Sequence, residues 1–255
     1  MKDKAKDGAA VKGGRLDNTI TVSDRYCGPP DCANGGYVSG CLATYVGGDS
    51  VRIKLKAPTP LNTPLTVQRE GDTWRLLAGE GLVAEAWAHD LQIEVPDIAS
   101  LESVQQAHQQ CHGFVDHAFP GCFVCGPERL NDGLGIFPGP VKNDQGFDSV
   151  ASFWQPKDEC YDPSGQLMTP FVWAALDCPT AFAALEYAEN QALVPMVLGM
   201  LTVRRLKPIT RQEGLIVHAW AQPGQGRKVA GYSAISSLQG ECLAYAEAMW
   251  ISIKK

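Results

Sequence analysis

The sequence predicts an α+β protein built twice over, each half a curved antiparallel sheet wrapped on one helix. Three observations predict it. Both halves show the same order of elements: strand, loop, helix, then four strands in a meander. Short motifs recur at near-constant spacing between the halves. A polar helical stretch separates them. A sheet of this kind has an apolar face that it can bury only against its helix and the other half.

The elements follow from local pattern. Residues 16–23 alternate as a first strand, and Gly28-Pro29-Pro30 breaks the loop after it. A short helix follows Asn34 and closes at Gly47-Gly48. Val51 to Lys56 alternates strictly, as a strand with one wet face does. Leu65 to Arg69, Thr73 to Ala78 and Leu82 to Val95 complete the first half. Asp97 to Cys111 reads as a polar helix with Ser100 as N-cap. In the second half, Gly133 to Phe137 and Phe147 to Trp154 read as strands, and Phe171 to Asn190 as a longer, more apolar helix. Val194 to Leu206, Leu215 to Ala221, Lys228 to Ser236 and Cys242 to Ile253 are the last four strands. The predicted organisation is a disordered tail over 1–15, a first unit over 16–96, a helical linker over 97–121 and a second unit over 122–255.

The halves align by hand. Pro58 and Pro208 are 150 residues apart, as are Leu65-Thr66-Val67 and Leu215-Ile216-Val217. Leu82-Val83-Ala84-Glu85-Ala86 and Cys242-Leu243-Ala244-Tyr245-Ala246 are 160 apart, the extra ten residues falling at Pro223 to Gly226. This is the signature of an internal duplication.

Composition narrows the function. Of 255 residues, 45% are apolar and 20% charged, as in a folded globular protein. A net charge of −6 gives no bulk attraction to nucleic acid. No apolar run reaches the roughly 18 residues that suggest a membrane helix. Nine cysteines and no apolar leader predict free thiols in a reducing cytoplasm.

The stretch Asn34-Gly35-Gly36 is the first candidate site. Glycines let a ligand approach the backbone, and the free N–H groups and dipole at a helix start favour negative charge. The stretch also reads as a plain strand-to-helix turn. Asp177 is the second candidate: it lies in an apolar helix, where a carboxylate must be partnered.

Together these stretches resemble a known family. Asn34-Gly35-Gly36-Tyr37-Val38-Ser39-Gly40 resembles the Gly-Gly loop of hotdog thioesterases. Cys122-Phe123-Val124-Cys125-Gly126-Pro127, with Gly133-Leu134-Gly135, is similar to the opening of the phenylacetate-pathway group. Ala174-Ala175-Leu176-Asp177 matches the helix segment that carries that group's catalytic carboxylate. The resemblance covers roughly residues 16–254 and implies a tandem (double) hotdog, with two curved antiparallel sheets each on a central helix, and acyl-CoA thioesterase activity. The second half departs from the pattern, having Thr169-Pro170-Phe171 where the glycines belong. The first half has Cys41-Leu42-Ala43-Thr44 where the carboxylate belongs. The resemblance therefore implies one composite site, with Asn34, Gly35 and Gly36 from one half and Asp177 from the other.

In that site a Gly35 or Gly36 N–H would hold the thioester oxyanion and Asp177 would act as base or nucleophile. Asn34 would bind the thioester oxygen or water, or simply cap the helix. Asp24 sits where related enzymes place a carboxylate, or is a turn residue. Thr169 would donate a hydroxyl near Asp177, or cap its helix. Arg204, Arg205, Arg227 and Lys228, with Lys207 and Arg211, form a basic concentration suited to coenzyme A phosphates, or a solvated strand edge. Cys122 and Cys125, with Cys111, His112 and His117 nearby, raise zinc, but no second Cys-x-x-Cys follows and the histidine spacing fits no common finger. No metal is expected, and no cofactor beyond coenzyme A as part of the substrate. The expected partner is a small-molecule acyl-CoA, with neither nucleic acid nor membrane involved and homo-oligomers plausible through sheet edges. The alternatives are a non-catalytic acyl-thioester binder and a hydratase or dehydratase on the same fold, though the histidines lie outside the Asp-x-x-x-x-His pattern of the latter.

Overall fold

Alternation in sequence becomes alternation in burial. In the strand Ser50–Leu55, Val51 and Ile53 are buried while Lys54 is exposed. The computed structural model describes residues 17–185, 195–222 and 227–252. Its elements are β1 (Thr19–Ile20), α1 (Gly35–Val46), β2 (Ser50–Leu55), β3 (Leu65–Glu70), β4 (Thr73–Ala78), β5 (Gly81–Ala88) and α2 (Leu101–Ala107). There follow β6 (Gly139–Lys142), β7 (Asp148–Trp154), α3 (Thr169–Leu185), β8 (Met196–Arg205), β9 (Leu215–Ala221), β10 (Lys228–Ser237) and β11 (Cys242–Ser252).

The strands form one sheet, not the two expected. The order is β1-β3-β4-β5-β2-β8-β11-β10-β9-β7-β6, every neighbouring pair antiparallel. The halves join where β2 pairs with β8, with Ile53 opposite Leu201, both fully buried. Open strand edges carry unpaired N–H and C=O groups, so two apolar edges that meet become one ladder. On either side of this seam the strand order repeats: β1-β3-β4-β5-β2 mirrors β7-β9-β10-β11-β8. α1 packs on β2, β4 and β5, α3 packs on β9, β10 and β11, and the two helices pack on each other.

Several boundaries differ from expectation. The first strand shrinks to Thr19–Ile20. β5 stops at Ala88, because the chain then leaves the ladder and Leu91 N–H bonds Ser50 Oγ at 3.2 Å. The helix expected over 97–111 keeps only Leu101–Ala107 and short 3-10 turns. Gly133 to Phe137 is no sheet strand. Its N–H groups bond the cysteine loop, Leu134 to the Phe123 carbonyl at 2.8 Å and Ile136 to that of Val124 at 3.0 Å. α3 starts at Thr169; the expected helical residues 186–190, the tail 1–15, Val194, Ile253 and the turn 223–226 lie outside the described residues.

The linker does more than connect. β9 is buried at every residue from Leu215 to Ala221, so the second half has two apolar faces. α2 covers part of the outer face, with Val104 and Ala107 against Val141, Ala151 and Ile216. Leu91, with Ile93 and Val95, covers another part against Trp220 and Tyr245. No helix among the described residues is long and apolar enough to cross a membrane.

His218, on β9 and stacked on Trp220, is 2% exposed. Burial pushes its pKa down to about 4, against a smaller pull from the Pro96 carbonyl. The unfolded chain then binds a proton that the folded one refuses, so stability is full above pH 6.5 and falls as pH drops toward 4. The loss expected from this group is about 3 kcal/mol. Urea unfolding at stepped pH should show it in the wild type and a flatter profile in His218→Gln.

α1 and α3 cross with almost no side-chain spacing. A Cβ on Gly36 would lie 2.5 Å from Asp177 Cβ, and one on Gly40 would lie 2.5 Å from Pro170 Cα. The order of these contacts makes the helices antiparallel. Gly40→Ala should force them apart and cost about 1–3 kcal/mol, read as a lower urea midpoint.

Candidate active site

The start of α1 is built by its cap. Asn34 is 2% exposed, and its Oδ1 accepts the Tyr37 N–H at 2.9 Å. That bond sets the amide orientation and turns Nδ2 toward two sulfurs, Cys122 Sγ at 3.8 Å and Cys178 Sγ at 3.7 Å. Tyr37 stacks on Tyr26 with ring centroids 4.0 Å apart. The first N–H groups of a helix lack intrahelical acceptors. Tyr37 uses Asn34, and Gly36 N–H donates to Asp177 Oδ2 at 2.8 Å across 141 residues of chain. The Gly35 N–H is left at the cavity wall without an acceptor among the described residues.

α3 holds Asp177 by a local break. Pro179 lies inside the helix and has no N–H to donate. Two carbonyls of the same turn take side-chain donors: Ser233 Oγ donates to Leu176 O at 2.7 Å, and Thr180 Oγ1 to Asp177 O at 2.6 Å. Trp250 Nε1 in turn donates to Thr180 Oγ1 at 2.7 Å. These bonds pin the turn that carries the carboxylate.

Asp177 is 1% exposed, and its Oδ1 is buried with no hydrogen-bond partner among the described residues. Burial raises its pKa to about 7 against the pull of the Gly36 N–H; charge at Cys122 adds to the rise and the Asn34 amide opposes it. A carboxyl group so placed exchanges protons near neutrality. It opens on a cavity of about 310 Å³ whose walls include Phe182, Met196, Leu198 and Trp250. Gly35, Asn34, Cys122, Cys125 and Cys178 also line this cavity. Hydrogen bonds from the Cys125 and Cys178 thiols hold the Cys122 thiol well below its usual range. The other two thiols are held above theirs, chiefly by their bonds to Cys122.

The structure thus brings Asn34, Gly35, Gly36 and Asp177 together, but the glycines divide their work. Gly36 binds the carboxylate, and Gly35 lines the cavity with no acceptor for its N–H among the described residues. Thr169 is eight residues before Asp177, about 12 Å along the helix, and does not line the cavity. Its place in the first turn of α3 is that of a helix-start residue. Asp24 is exposed and accepts from Ser23 Oγ at 3.0 Å, a turn residue that does not line the cavity.

The basic residues do not form one cluster. Arg205 pairs with Ala244 and Lys228 with Ile251, seven positions apart on β11 or about 23 Å. Arg204 and Arg205 therefore stand at one end of the sheet, Arg227 and Lys228 at the other. Arg204 is bound to Asp90, Lys207 to Glu241 and Arg211 to Asp158. The cationic side chain at the cavity wall is Lys56, whose Nζ meets Glu85 at 2.7 Å. Sequence reasoning missed Lys56, and it weighed Cys178 only as a nucleophile lacking a histidine, not as a neighbour of Cys122 and Cys125; Pro179, two residues after Asp177, was a readable sign of an irregular turn.

No family model and no curated protein matches the sequence. Solved structures match in fold. A tesB protein of Mycobacterium avium subsp. paratuberculosis aligns over 94% of this chain and 96% of its own, with a TM-score of 0.63 and 11% identity. The acyl-CoA thioesterase II TesB2 of Mycobacterium marinum aligns over 95% and 96%, with a TM-score of 0.59 and 10% identity. A conserved protein of unknown function with a hot dog fold, from Alicyclobacillus acidocaldarius, aligns over 93% of both chains, with a TM-score of 0.58 and 13% identity. The likeness is one of fold, and it spans nearly the whole chain.

Proposed function

We propose that this chain hydrolyses an acyl thioester, of coenzyme A or of an acyl carrier, in a single composite site. One observation carries the reading: a buried carboxylate, with one oxygen anchored on a helix N-terminus and the other unpartnered, opens on an apolar cavity. The fold shared with structures named as thioesterases supports it.

In this reading the acyl chain lies along Phe182, Leu198 and Trp250, and the thioester oxygen takes the Gly35 N–H. Asp177 Oδ1 removes a proton from water as that water attacks the carbonyl carbon. The C–O bond forms, and the carbonyl π electrons move to the oxygen. Charge on that oxygen meets the Gly35 N–H and the positive end of α1, a donor worth about 3–4 kcal/mol where such groups have been removed from hydrolases. Collapse breaks the C–S bond, and the thiolate takes the proton held by Asp177. The products are a carboxylic acid and a thiol. Phosphate recognition by Arg204, Arg205, Arg227 and Lys228 as one group forms no part of the reading, since they occupy opposite ends of the sheet.

Binding without turnover is the second reading. The observation that favours it is that Gly36 N–H is already taken by Asp177, leaving one donor for the oxyanion.

A panel of acyl-CoAs of increasing chain length, with the released thiol as readout, separates the two. Asp177→Asn keeps an oxygen for the Gly36 N–H and removes the base. It should lower kcat by about 10²–10⁴-fold with little change in thermal unfolding. Full activity in that variant would overturn the role of Asp177. Binding of acyl-CoA without thiol release by the wild type would establish the second reading.

A further inference from the structure

Cys122 and Cys125 lie three positions apart in one loop, and Cys178 comes from α3, next to Asp177. Their three sulfur atoms lie within 4.8 Å of one another, and all three residues are buried. Cys122 Sγ and Cys178 Sγ are 3.8 Å apart. Tetrahedral thiolates around a zinc ion, at Zn–S distances near 2.3 Å, sit about 3.8 Å from each other. The spacing of that pair matches the edge of a zinc–thiolate tetrahedron.

The loop is shaped for the task. Gly126 N–H bonds the Cys122 carbonyl at 2.9 Å, closing the loop around Cys122. Gly126 has no room for a Cβ, which would strike the Pro120 and Cys122 carbonyls. The segment around Leu134 and Ile136 clasps the loop from outside. Asn34 Nδ2 points an amide N–H at two of the sulfurs, the kind of outer contact that supports metal-bound thiolates. The trio also lines the cavity, where the unpartnered Asp177 Oδ1 is found. Among the described residues this is the one cluster of metal-ligating side chains. The sulfur that joins Cys122 and Cys125 comes from α3, not from the sequence neighbours Cys111, His112 and His117.

We infer that Cys122, Cys125 and Cys178 form a trithiolate site for one zinc ion, its remaining coordination position facing the acyl cavity. The site does not rest on the hydrolytic reading. Each thiol gives up its proton to solvent as the ion binds.

Reduced, metal-free protein is titrated with Co²⁺ and then Zn²⁺ under anaerobic conditions. The expected result is one Co²⁺ per chain, with a near-ultraviolet sulfur-to-cobalt charge-transfer band and visible bands of a tetrahedral ion, both abolished by one equivalent of Zn²⁺. Cys125→Ser should bind about 100-fold more weakly or worse, while Cys242→Ser, outside the trio, should bind as the wild type does. If Cys125→Ser does not fold, zinc-edge X-ray absorption of the wild type decides, with three sulfurs expected at about 2.3 Å. No stoichiometric binding overturns the site, as does a bound zinc with fewer than three sulfur ligands. Thiol release from acyl-CoA is not read in any arm, so loss of one proposal leaves the other standing.

Discussion

The bond from Gly36 N–H to Asp177 Oδ2 holds the two halves of this molecule in working order. It joins the N-terminus of one helix to a carboxylate on the other, at a crossing where the helices touch backbone to backbone. A buried carboxylate is costly unless donors and dipoles meet it. Here the positive end of α1 does so, and the Gly36 contact exists only because neither Gly36 nor Gly40 has a side chain. The carboxylate needs the close crossing for its donor, and the crossing brings that carboxylate to the floor of the cavity.

The rest of the fold serves this contact. Joining the two strand sets at β2 and β8 places both helices side by side. Pro179 interrupts the hydrogen-bond ladder beside Asp177, while Ser233 bonds the Leu176 carbonyl, Thr180 the Asp177 carbonyl, and Trp250 the Thr180 hydroxyl. The linker covers the outer apolar face of the second half. That face would otherwise be exposed, since β9 is apolar on both sides.

The same crossing concentrates sulfur. Cys178 follows Asp177 directly, and the loop of Cys122 and Cys125 reaches it from the start of the second half. Asn34 touches both groups: its oxygen caps α1 and its nitrogen faces the thiols. A single amide thus links the helix start, the carboxylate environment and the cysteine cluster.

The sequence by itself determined the order of the elements and the echo between halves, carried by alternation and by turn residues, and it marked Asp177 as an acidic residue out of place in an apolar helix. The pairing of Asn34-Gly35-Gly36 with Asp177 was implied by the family resemblance, not by any local signal. Tertiary structure alone decided the rest. Whether two strand sets make one sheet or two depends on which edges meet, as β2 and β8 do. Whether six basic residues form one patch depends on strand direction, and antiparallel pairing sent Arg204 and Lys228 to opposite ends. Thr169 and Asp24 suit their turns locally, and only the fold shows that neither lines the cavity. Which glycine N–H stays open, and which cysteine joins Cys122 and Cys125, depends on how α1 lies on α3. Those contacts link residues about 50 to 140 positions apart, and no pattern along the chain records a distance through space.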